Sequence, residues 1–214
     1  MIIHTKPSAI IFDFDDTLVD AKPIINGALE ATFIEFNINK AELKHIDFNL
    51  SLRDYFHHIF GVNVKAARES YYKHYTEFSK ELKPLANAEL VLQFLQNNGV
   101  FIAIVSNKGG ERLRNEITNK FTWHHYFTSI IGSGDAIEDK PSMHPAKLAL
   151  HGSGIMDYSN VWLIGDSSVD LKTAQNLGCK AILFGNNTQA DNIPFYLSVA
   201  NHQELLKLLE NIYV

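Results

Sequence analysis

Ser8-Ala9-Ile10-Ile11-Phe12-Asp13-Phe14-Asp15-Asp16-Thr17 is the stretch on which the reading of this chain turns. An unbroken apolar, β-branched run that stops at carboxylates has the pattern of a strand buried on both faces, delivering acidic side chains at its C-terminal end. Similar runs recur at Phe101–Val105 before Ser106, at Val161–Ile164 before Gly165-Asp166 and at Ala181–Phe184 before Gly185, with a weaker one at Ser129–Ile131. Helical patterns lie between them. Ala88–Asn97 repeats Leu90, Val91, Phe94 and Leu95 at three-and-four spacing and stops at Asn98-Gly99; Gly110–Phe121, Pro145–His151, Val169–Leu177 and Asn201–Ile212 complete the alternation. Strands alternating with helices predict an α/β fold, a Rossmann-like three-layer core with a parallel sheet.

One stretch breaks the alternation. From Pro23 to Leu82 there is no buried-strand run, only helical periodicity: Ile25, Leu29, Phe33 and Phe36, then Leu52–Phe60, then Val64, Ala67, Tyr71, Tyr75, Phe78 and Leu82. This predicts an inserted helical cap domain over 20–84, closed by Pro84, within a core made of 1–19 and 85–214. Tyr71, Tyr72, Tyr75 and Phe78 fall at helical spacing and read as packing, not as a platform for stacking bases.

Composition narrows the function. The 214 residues carry 19 Lys+Arg against 24 Asp+Glu, a formal net charge of -5, and 46% are hydrophobic. Basic residues are scattered and the pI is about 6.0, without the basic stripe of a nucleic-acid binder. The single cysteine, Cys179, allows no intramolecular disulfide and no Cys-based zinc site, and reads as a small buried residue. The pairs His57-His58 and His124-His125 are adjacent, a spacing that on a helix points the two rings apart and argues against a shared metal. No signal-peptide pattern opens the chain, and the longest later apolar run, Val100–Val105, is far short of the roughly 20 residues of a membrane span. A cytoplasmic protein with no membrane or nucleic-acid partner is expected; oligomeric state stays open.

Ligands of open α/β sheets bind beyond the carboxyl ends of the strands. There this chain places Asp13, Asp15 and Asp16, then Ser106-Asn107, then Asp166 and Asp170, with Lys140-Pro141 in the loop after the weak strand. Carboxylates crowded together repel one another unless a cation compensates, which predicts a hard divalent ion, and Mg²⁺ suits oxygen ligands and a substrate phosphate. Ser106, Lys140 and backbone N–H groups after Asp13 and Ser106, where helices are expected to begin, would grip a phosphoryl group. One carboxylate beside the metal can act as nucleophile, and another two residues on can protonate the leaving oxygen and then activate water.

These segments resemble the haloacid dehalogenase superfamily of phosphotransferases, whose four motifs occur here in order: Asp13-Phe14-Asp15-Asp16-Thr17, Ser106, Lys140, and Gly165-Asp166-Ser167-Ser168-Val169-Asp170. The phosphoglycolate phosphatase-like members are the nearest in pattern. The resemblance implies Asp13 as nucleophile and metal ligand, Asp15 as general acid/base lending its backbone carbonyl to the metal, and Asp166 as the remaining carboxylate ligand. It further implies Lys140 as the neutralising cation, Asp170 as support for the metal or for Lys140, and Ser106 with Asn107 as phosphate contacts. Arg53, in the cap segment Ser51–Phe56, is a candidate grip on a second anionic group of a small phosphorylated metabolite. Asp16 stands where the family more often has glycine. Asp15 argues against dehalogenation, since the dehalogenases lack an aspartate there.

The implied activity is Mg²⁺-dependent hydrolysis of a phosphomonoester through an aspartyl-phosphate. A phosphomutase of the β-phosphoglucomutase type has the same site, and a catalytically silent phosphate-binding domain would keep the fold. A phosphonate hydrolase would need a cap lysine such as Lys44 to form a Schiff base.

Overall fold

A computed structural model describes residues 5–45, 52–185 and 193–213, the side chains of 43–45 and 52–54 excepted. Six strands form one parallel sheet: β1 (Ala9–Phe12), β2 (Phe101–Gly109), β3 (Ser129–Ser133), β4 (Val161–Gly165), β5 (Lys180–Phe184) and β6 (Leu197–Val199). Their spatial order is β3-β2-β1-β4-β5-β6. The chain leaves β1 toward β2 and β3, then returns to lay β4 on the other side of β1. The order therefore reverses between β1 and β4, and such a switch point opens a crevice at the carboxyl ends of those strands.

The continuous apolar runs are explained by burial on both faces. All four residues of β1 are fully buried. Ala9, Ile11, Ala103, Val105, Val161, Leu163, Ala181 and Leu183 turn to one face, where they pack against Ala146 and Ala149 of α6 (His144–Ala149) and Leu171, Ala174 and Leu177 of α7 (Ser168–Leu177). The alternate residues, among them Ile10, Ile104, Trp162 and Ile182, are buried on the other face, the side of α4 (Ala88–Asn97) and α8 (His202–Tyr213). A buried Leu or Ile contributes about 1.5–3 kcal/mol by leaving water, so these two layers hold the sheet rigid under its loops.

The chain divides into two compact units, Met1–Leu18 with Pro84–Val214, and Val19–Lys83. The regular elements described in the second are all helical: α1 (Lys22–Glu35), α2 (Leu52–Phe60) and α3 (Val64–Phe78), with 3₁₀ turns at Lys40–His45, Gly61–Asn63 and Ser79–Glu81. Pro23 fits the first turn of α1, where a backbone N–H has no helical partner to lose. Its core is aromatic. Phe60 meets Phe33, Phe36 and Phe56 at centroid distances of 5.7, 5.4 and 4.9 Å, and Tyr71 lies edge-on to Phe56 at 5.5 Å. Tyr71 and Tyr75 are buried and Phe78 stacks on His74, so this stripe packs the unit, while Tyr72 is partly exposed.

Two local expectations are corrected and one strand is added. β2 does not stop before Ser106 but runs on through Gly109, with a register shift against β3 between Val105 and Gly109. The helix after it, α5 (Gly110–Asn115), is shorter than its periodicity suggested and widens into a π-helical turn over Glu116–Lys120. The added strand is β6, an edge strand of three residues, too short to show a period. Cys179 packs against the apolar face formed with α6 and α7, and burial pushes its thiol up to about 12. Among the described residues no helix is long and apolar enough to cross a membrane.

Candidate active site

The site is built at the switch point. Asp13 follows β1 and its N–H donates to the carbonyl of Ile164 in β4 at 2.8 Å, so the first acidic residue is fixed by the sheet itself. Phe14 to Leu18 then form a tight turn in which Asp16 takes a left-handed conformation, φ 60°. That backbone explains a glycine preference at this position, and aspartate is among the few other residues that tolerate it. No helix begins here: α1 starts at Lys22, and α5 starts only after β2 has ended at Gly109. The expected helix N-terminal N–H groups directly after Asp13 and Ser106 are therefore absent from the site, because the first segment is a turn and the second remains strand.

Lys140 is the electrostatic centre. Its Nζ donates to Asp13 Oδ1 and to Asp170 Oδ1, both at 2.6 Å, and all three side chains are at most 9% exposed. Burial alone would depress this lysine, but the two carboxylates hold it well above its ordinary value. Its main chain is clamped by Asn107, whose Oδ1 accepts from Lys140 N–H at 2.9 Å and whose Nδ2 donates to the Lys140 carbonyl at 3.0 Å. Both ends of the Asn107 amide thus serve Lys140.

Asp170 is equally committed. Its Oδ2 accepts from Ser167 N–H at 3.1 Å and from Ser167 Oγ at 2.5 Å, the reciprocal half of a capping box that starts α7. Its carboxyl lies against Gly165, where an added Cβ would come within 2.2 Å of Asp170 Cγ. Gly165 is required by that approach.

Asp13, Asp166 and Asp170 each offer an oxygen within 4.8 Å of the others. Burial pushes Asp13 up to about 7 despite the opposing pull of Lys140, and burial reinforced by Asp170 and Asp13 pushes Asp166 up to about 8. One internal ammonium does not compensate this many carboxylates, and the all-oxygen donor set fits a hard divalent cation. Both oxygens of Asp170 are taken by Lys140 and Ser167, whereas Asp13 gives Lys140 only Oδ1, so Asp13 and Asp166 are the carboxylates that could hold such an ion. Thr17, the buried threonine of the first motif, donates from Oγ1 to Asp166 Oδ1 at 3.4 Å.

Asp15 is directed elsewhere. Its Oδ1 accepts from Lys108 Nζ at 2.6 Å, and the same ammonium donates to Glu116 Oε2 at 2.7 Å. Neither Lys108 nor Glu116 belongs to the four motifs. A lysine two residues beyond Ser106 was the available signal, masked by ending the strand too early. Ser106 is buried and its Oγ accepts from Lys108 N–H at 3.2 Å. Arg53 falls in α2 and Lys44 in the 3₁₀ turn Lys40–His45; both side chains lie outside the described residues. No potential metal cluster among the described residues includes a histidine.

Comparison with known proteins agrees with this architecture. Residues 10–184 match the family model described as haloacid dehalogenase-like hydrolase. A phosphoglycolate phosphatase of Neisseria meningitidis is 27% identical over 186 residues, covering 81% of this chain and 78% of that protein. The pyrophosphatase PpaX of Oceanobacillus iheyensis is 26% identical, covering 78% of each. A crystal structure of a HAD-superfamily hydrolase from Ehrlichia chaffeensis superposes with a TM-score of 0.69 at 32% identity, over 98% of this chain and 99% of that one. On a family match spanning all four motifs, this chain belongs to the haloacid dehalogenase-like hydrolases and is an enzyme of their phosphatase class.

Proposed function

We propose that this enzyme hydrolyses a small phosphomonoester metabolite, with Mg²⁺, through an aspartyl-phosphate on Asp13. The observation that carries the reading is the Lys140 ammonium bonded to Asp13, with an Asp166 oxygen within 4.8 Å of an Asp13 oxygen and the Asp15 carboxyl bonded to a different ammonium, that of Lys108. Bound at Asp13 and Asp166, Mg²⁺ would neutralise charge on the phosphoryl oxygens and on the nucleophile.

Asp13 attacks phosphorus as the bond to the leaving oxygen breaks, and the Asp15 carboxyl gives its proton to that oxygen, releasing the alcohol. Asp15, now a carboxylate, takes a proton from water as the water oxygen attacks phosphorus. The Asp13–phosphorus bond breaks, inorganic phosphate leaves, and both aspartates return to their starting state. Lys140 holds Asp13 in place and offsets the charge gathered there, while Ser106, buried at the sheet's carboxyl edge, would offer its hydroxyl to a phosphoryl oxygen. Asn107 contributes by fixing the Lys140 main chain.

The names of the relatives make phosphoglycolate the first ester to test, with inorganic pyrophosphate as the comparison. The test is phosphate release from a panel of these two, sugar phosphates and nucleotides, with Mg²⁺ or EDTA, and with Asp13→Asn as the blank. Mg²⁺-dependent release that Asp13→Asn abolishes supports the reading. Interconversion of sugar phosphates without release would indicate a phosphomutase, and binding without any turnover a silent domain.

A further inference from the structure

Two buried charges have no part in the chemistry above. Lys108 and Glu116 are 5% and 6% exposed in their side chains, against 19% for Asp15. They come from different elements, the extended end of β2 and the first residue of the π-helical turn, and they meet at the Asp15 carboxyl. The ring of Phe14 closes the slot, with Lys108 Nζ 5.0 Å from its centroid.

Taking an ammonium and a carboxylate out of water costs several kcal/mol per ion, so a buried pair is weak evidence for stability and invites a role in geometry. The geometry is specific. An aspartate in a turn has free rotation about two side-chain bonds, and Asp13 of the acidic cluster lies only two residues away. A lysine bonded to Asp15 Oδ1 stops that rotation. Glu116 anchors the lysine from the far side and meets its charge, so Lys108 is already satisfied and acts through Asp15 rather than as a second grip on phosphate. The two buried lysines then divide the site: Lys140 holds the nucleophile, Lys108 the acid.

We propose that Lys108, anchored by Glu116, is the positioning residue for Asp15, holding its carboxyl toward the leaving oxygen and away from the metal-binding carboxylates. This rests on the reading of Asp15 as the leaving-group acid.

The experiment compares the first turnover, with enzyme in excess, on two esters. One is p-nitrophenyl phosphate, whose phenolate leaves without a proton. The other is whichever of phosphoglycolate, glycerol 3-phosphate and glucose 6-phosphate the wild-type enzyme cleaves fastest. Lys108→Met is expected to slow release of the alkyl alcohol by at least about tenfold and of p-nitrophenolate by less than about threefold, with KM little changed. Glu116→Gln should show the same selectivity at smaller size, and Lys108→Arg should restore part of it. If Lys108→Met does not fold, Glu116→Gln carries the comparison. Equal losses on both esters, or a rise in KM at unchanged kcat, would overturn the proposal. Asp15→Asn separates the two levels: it should show the same selectivity more strongly. Selectivity in Asp15→Asn but not in the Lys108 and Glu116 variants removes only the positioning role. No selectivity in Asp15→Asn, or no wild-type turnover of any ester, removes the reading of Asp15 and the proposal with it.

Discussion

Lys140 Nζ donates to Asp13 Oδ1 at 2.6 Å across 127 residues of sequence, joining the loop after β3 to the end of β1. The bond places a fixed positive charge on the carboxylate proposed as the nucleophile, and Asp170 holds the lysine from its other side at the same distance. Removing a single such electrostatic partner typically costs about 10²–10³-fold in kcat.

Lys140→Met should accordingly reduce kcat by about that factor. It should also destabilise the metal-free protein by about 3–5 kcal/mol at pH 8, since breaking a buried ion pair leaves charge without compensation. Thermal melting in EDTA and in Mg²⁺ checks it, the loss being smaller with the ion present. An unchanged melting temperature in EDTA would contradict the compensating role.

Gly165→Ala tests the packing behind Asp170. The new methyl would lie 2.2 Å from Asp170 Cγ, so the carboxyl must move, loosening both Lys140 and the Ser167 cap. Overpacking of this kind costs about 1–3 kcal/mol. Turnover should fall at least tenfold, on the order of one lost positioning contact. Full activity in a folded variant would show that Asp170 does not orient Lys140.

The acidic pair gives the proposed metal dependence a sign. In the metal-free protein burial holds Asp13 at about 7 and Asp166 at about 8, above the ordinary 3.8. Folding then takes up protons at these groups, and their contribution to stability is present at low pH and lost as pH rises through 7 and 8. Mg²⁺ requires the ionised forms, so its binding should release protons and raise the melting temperature more at pH 8 than at pH 6. Asp166→Asn should remove most of that difference. An increment independent of pH would place the ion elsewhere.

His202 should govern part of the acid limb. It is buried, lies 4.5 Å from the Phe184 ring, has an unpartnered Nε2, and is pushed by burial down to about 4 against a hydrogen bond with Ala86. The unfolded chain binds the proton first, so stability falls as pH drops from about 6.5 to about 4, by up to about 3 kcal/mol, and no further below. His202→Leu should flatten this limb relative to wild type in denaturant titrations between pH 4 and 7. An identical slope would exclude the assignment.

Much of this protein is readable without coordinates because its strongest signals are local. Strands covered on both faces must be apolar at successive positions, so Ile10-Ile11-Phe12 and Trp162-Leu163-Ile164 disclose both the parallel sheet and the ends where Asp13 and Asp166 emerge. The helical stretch after β1 disclosed itself by the change of period at Pro23. Three-residue β6 carried no such signal.

What only the tertiary structure decided is which charged groups meet. Nothing in Asn107 says that its amide turns onto Lys140, nor in Glu116 that it reaches Lys108, because those meetings depend on the order of strands in the sheet and on where β2 ends. Apolar periodicity reports how deeply a segment is buried, a property each segment carries in itself. Hydrogen bonds between ions act over less than 3 Å, and their partners are chosen by the whole fold.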